Sequence, residues 1–168
     1  LSKLNSLAAF VDESLEKYEI FESARALQEF ADVLSNWYVR RGRDRYWGAD
    51  MTDDKAAAYT TLYTVLVTLA KLTAPYTPFM AEMIYRNLVP RFFADQPASV
   101  HLCGFPKADK NYIDRALEDG MEEVLDIVVL GRAARNAGNL KNRQPLAKMI
   151  VVSTRNIDLS KDERAIVL

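Results

Sequence analysis

Apolar residues in this chain recur every three or four positions, and prolines and glycines cut the pattern into helix-length stretches. Leu4, Leu7, Ala8, Val11 and Leu15 set a first helix over residues 4–17. A second spans about 19–46, with Leu27, Phe30, Ala31, Leu34 and Tyr38 on one face and Trp37 at its margin. Thr52, followed by Asp53 and Asp54, is a helix start: a hydroxyl accepts from an early unpaired N–H, and early acids meet the positive end of the helix dipole. That third helix runs to about Thr73, buries Ala58, Leu62, Val65, Leu66 and Leu69, and is ended by Pro75. Thr77 is a second cap, and Pro78 opens a fourth helix at the position where its missing N–H is not needed. Residues 90–108 read as an irregular connection, with Ser99 to Leu102 extended. A fifth helix is expected over 109–137, capped by Gly138-Asn139. The character then changes: Met149 to Ser153 is strand-like, and Asp162 to Leu168 opens another helix. The predicted fold is all-α, an antiparallel helix bundle over residues 1–140, followed at 141–168 by the start of a small α/β module.

Length and composition fit a globular domain: 168 residues, 49% hydrophobic and 27% charged. The longest uncharged stretch, Ala56 to Ala70, is fifteen residues with four threonines, too short and too polar to span a bilayer. A lone cysteine, Cys103, forms no internal disulfide, so a reducing, cytoplasmic setting is expected. The chain opens at Leu1 in mid-pattern and closes on an apolar run, and is read as a piece of a longer protein. Net charge is only −1, but it is segregated. Residues 40–45 carry +3 and residues 131–148 carry +5, which leaves −9 on the remainder. A basic patch on an acidic body is an electrostatic footprint for a polyanion. Solvated helix ends, where cations are favoured, read equally well from charge alone.

No catalytic constellation is present in the sequence. His101 is the only histidine and Cys103 the only cysteine, so neither a histidine metal cluster nor a four-ligand zinc set can be assembled from them. The six glycines are scattered and form no phosphate-binding loop. The chemistry-bearing residues are instead arginines and aromatics. Residues 34–47 hold Arg40, Arg41, Arg43 and Arg45 together with Trp37, Tyr38, Tyr46 and Trp47. Guanidinium groups grip phosphates with paired hydrogen bonds, and aromatic rings stack on bases. At about 100° per residue, Arg41 and Arg45 continue the apolar line, while Arg40 and Arg43 fall on the opposite side. Arg41 and Arg45 are therefore expected to pair inside the bundle with a carboxylate of a neighbouring helix, Glu82 being a candidate. Arg40 and Arg43 are candidates for phosphate contact, and Trp37 reads as core. The second basic segment, 131–146, offers Arg132 and Arg135 three apart on one helical side, then Lys141, Asn142, Arg143 and Gln144 as donors to phosphates and base edges. A flexible basic linker is the competing reading.

Leu34-Ser35-Asn36-Trp37-Tyr38-Val39-Arg40-Arg41 resembles the signature helix in the anticodon-binding domain of class I aminoacyl-tRNA synthetases of the isoleucine, valine, leucine and methionine group. Leu72-Thr73-Ala74-Pro75-Tyr76-Thr77-Pro78 with Glu82 resembles the proline-punctuated hinge of the same domains, and Ser99 to Leu102 followed by Phe105-Pro106 their extended connection. Gly131-Arg132-Ala133-Ala134-Arg135-Asn136 with Lys141-Asn142-Arg143-Gln144-Pro145-Leu146 is most similar to the isoleucyl enzymes; the valyl counterpart is the nearest rival, and a helical protein-interaction scaffold that never touches RNA is the rival of another class. Gly42, Asp44 and Cys103-Gly104 depart from the pattern. The resemblance implies a domain that holds the anticodon arm of an isoleucine-accepting tRNA through Arg40, Arg43, Arg132, Arg135, Lys141, Asn142, Arg143 and Gln144, with Trp37, Tyr38, Arg41 and Glu82 structural. It implies a parent enzyme that ligates isoleucine to tRNA with ATP and Mg, its catalytic and C-terminal parts as partners, and zinc in some relatives outside this region. The chain itself lacks the family's nucleotide-binding and lysine-rich motifs, so no catalysis and no cofactor are expected of it, nor any membrane.

Overall fold

A computed structural model of the chain describes residues 1–141, 144–152 and 159–167. It divides into two compact units, Leu1–Ile113 and Asp114–Leu168. The first holds α1 (Ser2–Glu16), α2 (Ile20–Val33), a π-helical stretch (Leu34–Val39), α3 (Arg43–Trp47), α4 (Asp53–Thr73) and α5 (Pro78–Leu88). The second holds α6 (Arg115–Ala137) and α7 (Lys161–Val167). The all-α class expected from periodicity is the class observed, with no strand among the described residues.

In the first unit α1, α2 and α4 share one core and α4, α5 and the following connection share another. Leu7, Ala8 and Val11 of α1 meet Leu27 of α2 and Leu72 of α4, with Leu15, Phe30, Tyr76 and Phe105 packed around them. Ala70 of α4 meets Ala81 and Tyr85 of α5, Val89 and Val100. Small residues at 70 and 81 let α4 and α5 approach closely around the Tyr85 ring. Ser23 is fully buried between the helices; it accepts a 2.7 Å hydrogen bond from the Tyr76 hydroxyl and lies within 2.9 Å of the Glu19 carbonyl. Satisfying that hydroxyl removes the penalty an unpaired buried polar group carries.

The helix ends show where side chains took over from pattern. Thr52 caps α4 as expected, its hydroxyl accepting from the Lys55 N–H at 3.2 Å. Thr77 does not cap α5: its hydroxyl turns back toward the Thr73 carbonyl at 3.4 Å, and Pro78 alone marks the start. Both α1 and α6 close with a residue in the left-handed region, and in neither case is it glycine. Tyr18 (φ 60°) ends α1, with the Glu19 N–H donating to the Ser14 carbonyl at 2.8 Å. Asn139 (φ 52°) ends α6, with the Leu140 N–H donating to the Arg135 carbonyl at 2.9 Å. These six-to-one bonds satisfy carbonyls that a helix end otherwise leaves open. The cap expected at Gly138-Asn139 is therefore formed, by the asparagine.

Three expectations give way. Ser99 is extended, but Val100–Leu102 form a 3-10 turn, because the Ser99 hydroxyl accepts from the His101 N–H at 3.2 Å and starts a tight turn. The helix expected from Asp109 begins six residues later, at Arg115, since Asp109 and Asp114 each cap a separate start. Met149–Val152 form no strand; a strand is stable only with a partner ladder, and the described residues supply none. Ser153 lies outside the described residues.

Candidate nucleic-acid interface

The arginine segment is not one continuous helix. Across Leu34–Val39 the turn widens, and the Arg40 N–H donates to the Ser35 carbonyl five residues back. Gly42 then interrupts the helix before α3. A side chain at Gly42 would press within 3.1 Å of the Tyr38 carbonyl and 3.3 Å of the Tyr46 ring, so the glycine makes room for the tyrosine to fold over the junction.

This break sends the arginines to new places. Arg40, Arg41, Arg43 and Arg45 are all solvent-exposed. Arg41 is not buried as expected: its side chain is exposed, the guanidinium 5.6 Å from the centre of the Trp37 ring. Glu82 is engaged elsewhere, accepting from the Val100 N–H at 2.8 Å and the Ser99 hydroxyl at 2.9 Å. It fastens the connection after α5. Arg45 does find a carboxylate on a neighbouring helix, but at the surface. It holds Asp54 in a fork, Nε to Oδ2 at 2.8 Å and Nη2 to Oδ1 at 2.7 Å, and this contact keeps the Asp54 carboxyl below its usual range. The acid that reads in the sequence only as a helix-start charge thus also ties α3 to α4. Trp37 and Tyr38 are half-buried and stand outside the two core clusters, although periodicity reads Trp37 as core.

Two further tethers bind α3 to α4, and neither has a signal in the sequence pattern. The Tyr59 ring meets Tyr46 edge-on at 5.3 Å while its hydroxyl donates to the Tyr46 carbonyl at 3.3 Å, and Lys55 Nζ donates to the Gly48 carbonyl at 2.5 Å. Burial, with a hydrogen bond to Tyr38 adding to it, pushes the Tyr46 phenol up to about 12. An open hollow of about 430 Å³ lies at this corner, lined in part by Asp44, Asp50 and Asp54 with Arg45 and Lys55. Its three carboxylates make it a poor phosphate seat. Arg43 lies over the Trp47 ring, 4.0 Å from its centre.

In the second unit, Arg132, Lys141 and Gln144 are exposed and Arg135 is half-buried. Arg135 is engaged internally: its Nη1 donates to the Lys141 carbonyl at 3.2 Å and the Gln144 carbonyl at 2.8 Å. These bonds tie the residues after the Asn139 turn back to α6. Asn142 and Arg143 lie outside the described residues. Among the described residues no three His, Cys, Asp or Glu side chains are placed so that they could hold a metal ion together.

The carboxylate of Glu82 carries a pH-dependent consequence. The Val100 N–H, with Ser99 adding to it, holds its pKa below the usual 4.5. A group depressed in the folded state stabilises the fold above its unfolded pKa and loses that contribution as pH falls through the folded one. Glu82→Gln is therefore expected to flatten the acid limb of stability below 4.5. Urea midpoints at neutral pH and at about pH 3 check this; an equal acid-induced drop in both proteins would contradict it.

The family model described as the anticodon-binding domain of tRNA ligase matches residues 1–151. This chain belongs to that family. Among curated relatives of this anticodon-binding domain, the isoleucine–tRNA ligase of Clostridium novyi (strain NT) is 51% identical over 168 residues, covering 97% of this chain and 16% of the relative. The isoleucine–tRNA ligase of Dehalococcoides mccartyi (strain CBDB1) is 49% identical over 154 residues, 90% of this chain and 15% of the relative. That of Porphyromonas gingivalis (strain ATCC BAA-308 / W83) is 46% identical over 152 residues, 90% and 13%. This chain thus spans about a sixth of the length of such curated relatives.

Proposed function

We propose that this chain grips the anticodon arm of an isoleucine-accepting tRNA as one part of a longer isoleucine–tRNA ligase, a cytoplasmic enzyme that joins isoleucine to tRNA with ATP. The observation that carries the reading is the family match over residues 1–151 together with relatives named isoleucine–tRNA ligase at about half identity. The surface supports it: Arg40, Arg43, Arg132 and Lys141 stand exposed on a chain whose remainder is acidic. Phosphate contacts from such side chains supply affinity and register, and loop bases supply identity. No described helix is long and apolar enough to cross a membrane. The catalytic and C-terminal parts of the longer protein are the partners this reading requires, and ATP, Mg and any zinc belong with them. Amino-acid activation by this chain alone is not part of the proposal.

Filter binding of an isoleucine tRNA transcript to the 168-residue chain tests the reading. Saturable retention at low salt is expected. Absence of retention at low salt would leave a helical scaffold for protein contacts as the better account.

A further inference from the structure

Three residues around Trp47 are tied to α4, and Trp47 is not. Arg45 grips Asp54, Tyr46 is braced by Tyr59, and the Gly48 carbonyl accepts from Lys55. Between these tethers the Trp47 side chain stays 70% exposed. A large apolar ring left in water forgoes the burial that ordinarily stabilises a fold. Arg43 lies 4.0 Å from its centre, a cation–π contact on one face of the indole. Arg43 forms no ion pair among the described residues, so its charge is not neutralised there. The chain just beyond is open, since a side chain added at Gly48 would meet nothing within 4 Å. An indole on a tethered stretch of backbone, with a cation over one face and otherwise exposed, is suited to receive a flat partner.

We propose that Trp47 is a stacking platform for an unpaired nucleobase of the bound RNA, with Arg43 as its cationic backing. The inference rests on the tRNA reading above and names what meets this part of the surface. Bases inside a helix offer only their edges, whereas an unpaired loop base offers a π-face that any aromatic ring can take. Arg43, with its guanidinium carbon over the ring, carries several N–H donors that can reach the phosphate beside that base.

Fluorescence reads the platform directly. Trp37 is the only other tryptophan, so the Trp37→Phe protein emits from Trp47 alone. Its emission is expected to be quenched by the tRNA transcript with the same midpoint as filter binding. Trp47→Ala is expected to bind the transcript about five- to hundredfold more weakly, and Trp47→Phe, which keeps a ring face, much less so. The salt dependence of Trp47→Ala should match that of the parent protein, because a stacked ring releases no counterion. Wild-type affinity in Trp47→Ala, or unmoved emission at saturating tRNA, overturns the platform and leaves tRNA binding standing. If Trp47→Ala loses its helical circular dichroism, the emission of the Trp37→Phe protein decides. No tRNA retention by the unaltered chain overturns the functional reading, and the platform with it.

Discussion

Replacing Tyr85 by alanine is expected to lower the unfolding free energy by about 3–5 kcal/mol, the range for emptying a large aromatic site in a packed core. The ring is 1% exposed and sits among Ala70, Ala81, Val89 and Val100, which are too small to collapse into the space it leaves. Its hydroxyl donates to the Pro97 carbonyl at 3.1 Å, and burial pushes that phenol up to about 12. Tyr85→Phe keeps the ring and orphans the carbonyl, so it should cost only about 1–2 kcal/mol. Urea denaturation followed by circular dichroism separates the two. A small domain is stable by only about 5–15 kcal/mol, so the alanine variant should stand near the edge of folding. Losses of equal size in the two variants would show that the hydroxyl, and not the packing, holds α5 in place.

The other large effect is expected in the salt dependence of tRNA binding. Each neutralised phosphate contributes a slope of about −0.7 to −0.9 in log K against log salt, so four to six contacts give roughly −3 to −5. At a slope near −4, raising salt fourfold should weaken binding by roughly 250-fold. Arg40 and Arg132 are both exposed, one in each compact unit. Changing both to alanine should reduce the slope by about two contacts' worth, so that the same fourfold rise costs only about 20–40-fold. Circular dichroism should stay helical, because neither side chain is part of a core cluster. Binding that ignores salt, or an unchanged slope in the double variant, would remove these arginines from the interface.

Much of this fold is written locally. The spacing of Leu4, Leu7, Ala8 and Val11, the Thr52 cap and the Pro75 and Pro78 boundaries each act within one or two turns, and the helices form where those signals put them. What failed to read through was long-range or depended on competition. A helical wheel assumes 100° per residue, but the π stretch at Leu34–Val39 takes in about one residue more per turn. Everything after it is rotated by roughly that angle, which is why Arg41 lies outside and not in the apolar line. Glu82 had a nearer suitor than any arginine, in the N–H of Val100. Arg135 looks like a free cation in the sequence because no pattern shows that the chain folds back over it. The tethers around Trp47 join residues seven to thirteen positions apart across a corner, a distance that periodicity does not address.

The widened turn also sets how this surface responds to changes in length. A substitution in Leu34–Val39 alters one side chain, but the gain or loss of a single codon there would swing Arg40, Arg41 and all of α3 by about 100° about the helix axis. The core around Leu27 and Leu72 contains none of the residues of this turn or of α3. The chain thus holds a point at which one in-frame indel re-aims an entire binding face by breaking the tethers of α3 to α4, while the core shared by α1, α2 and α4 keeps its contacts. Related sequences that differ in length by one residue at this point would present the same arginines to a different side of the same bundle.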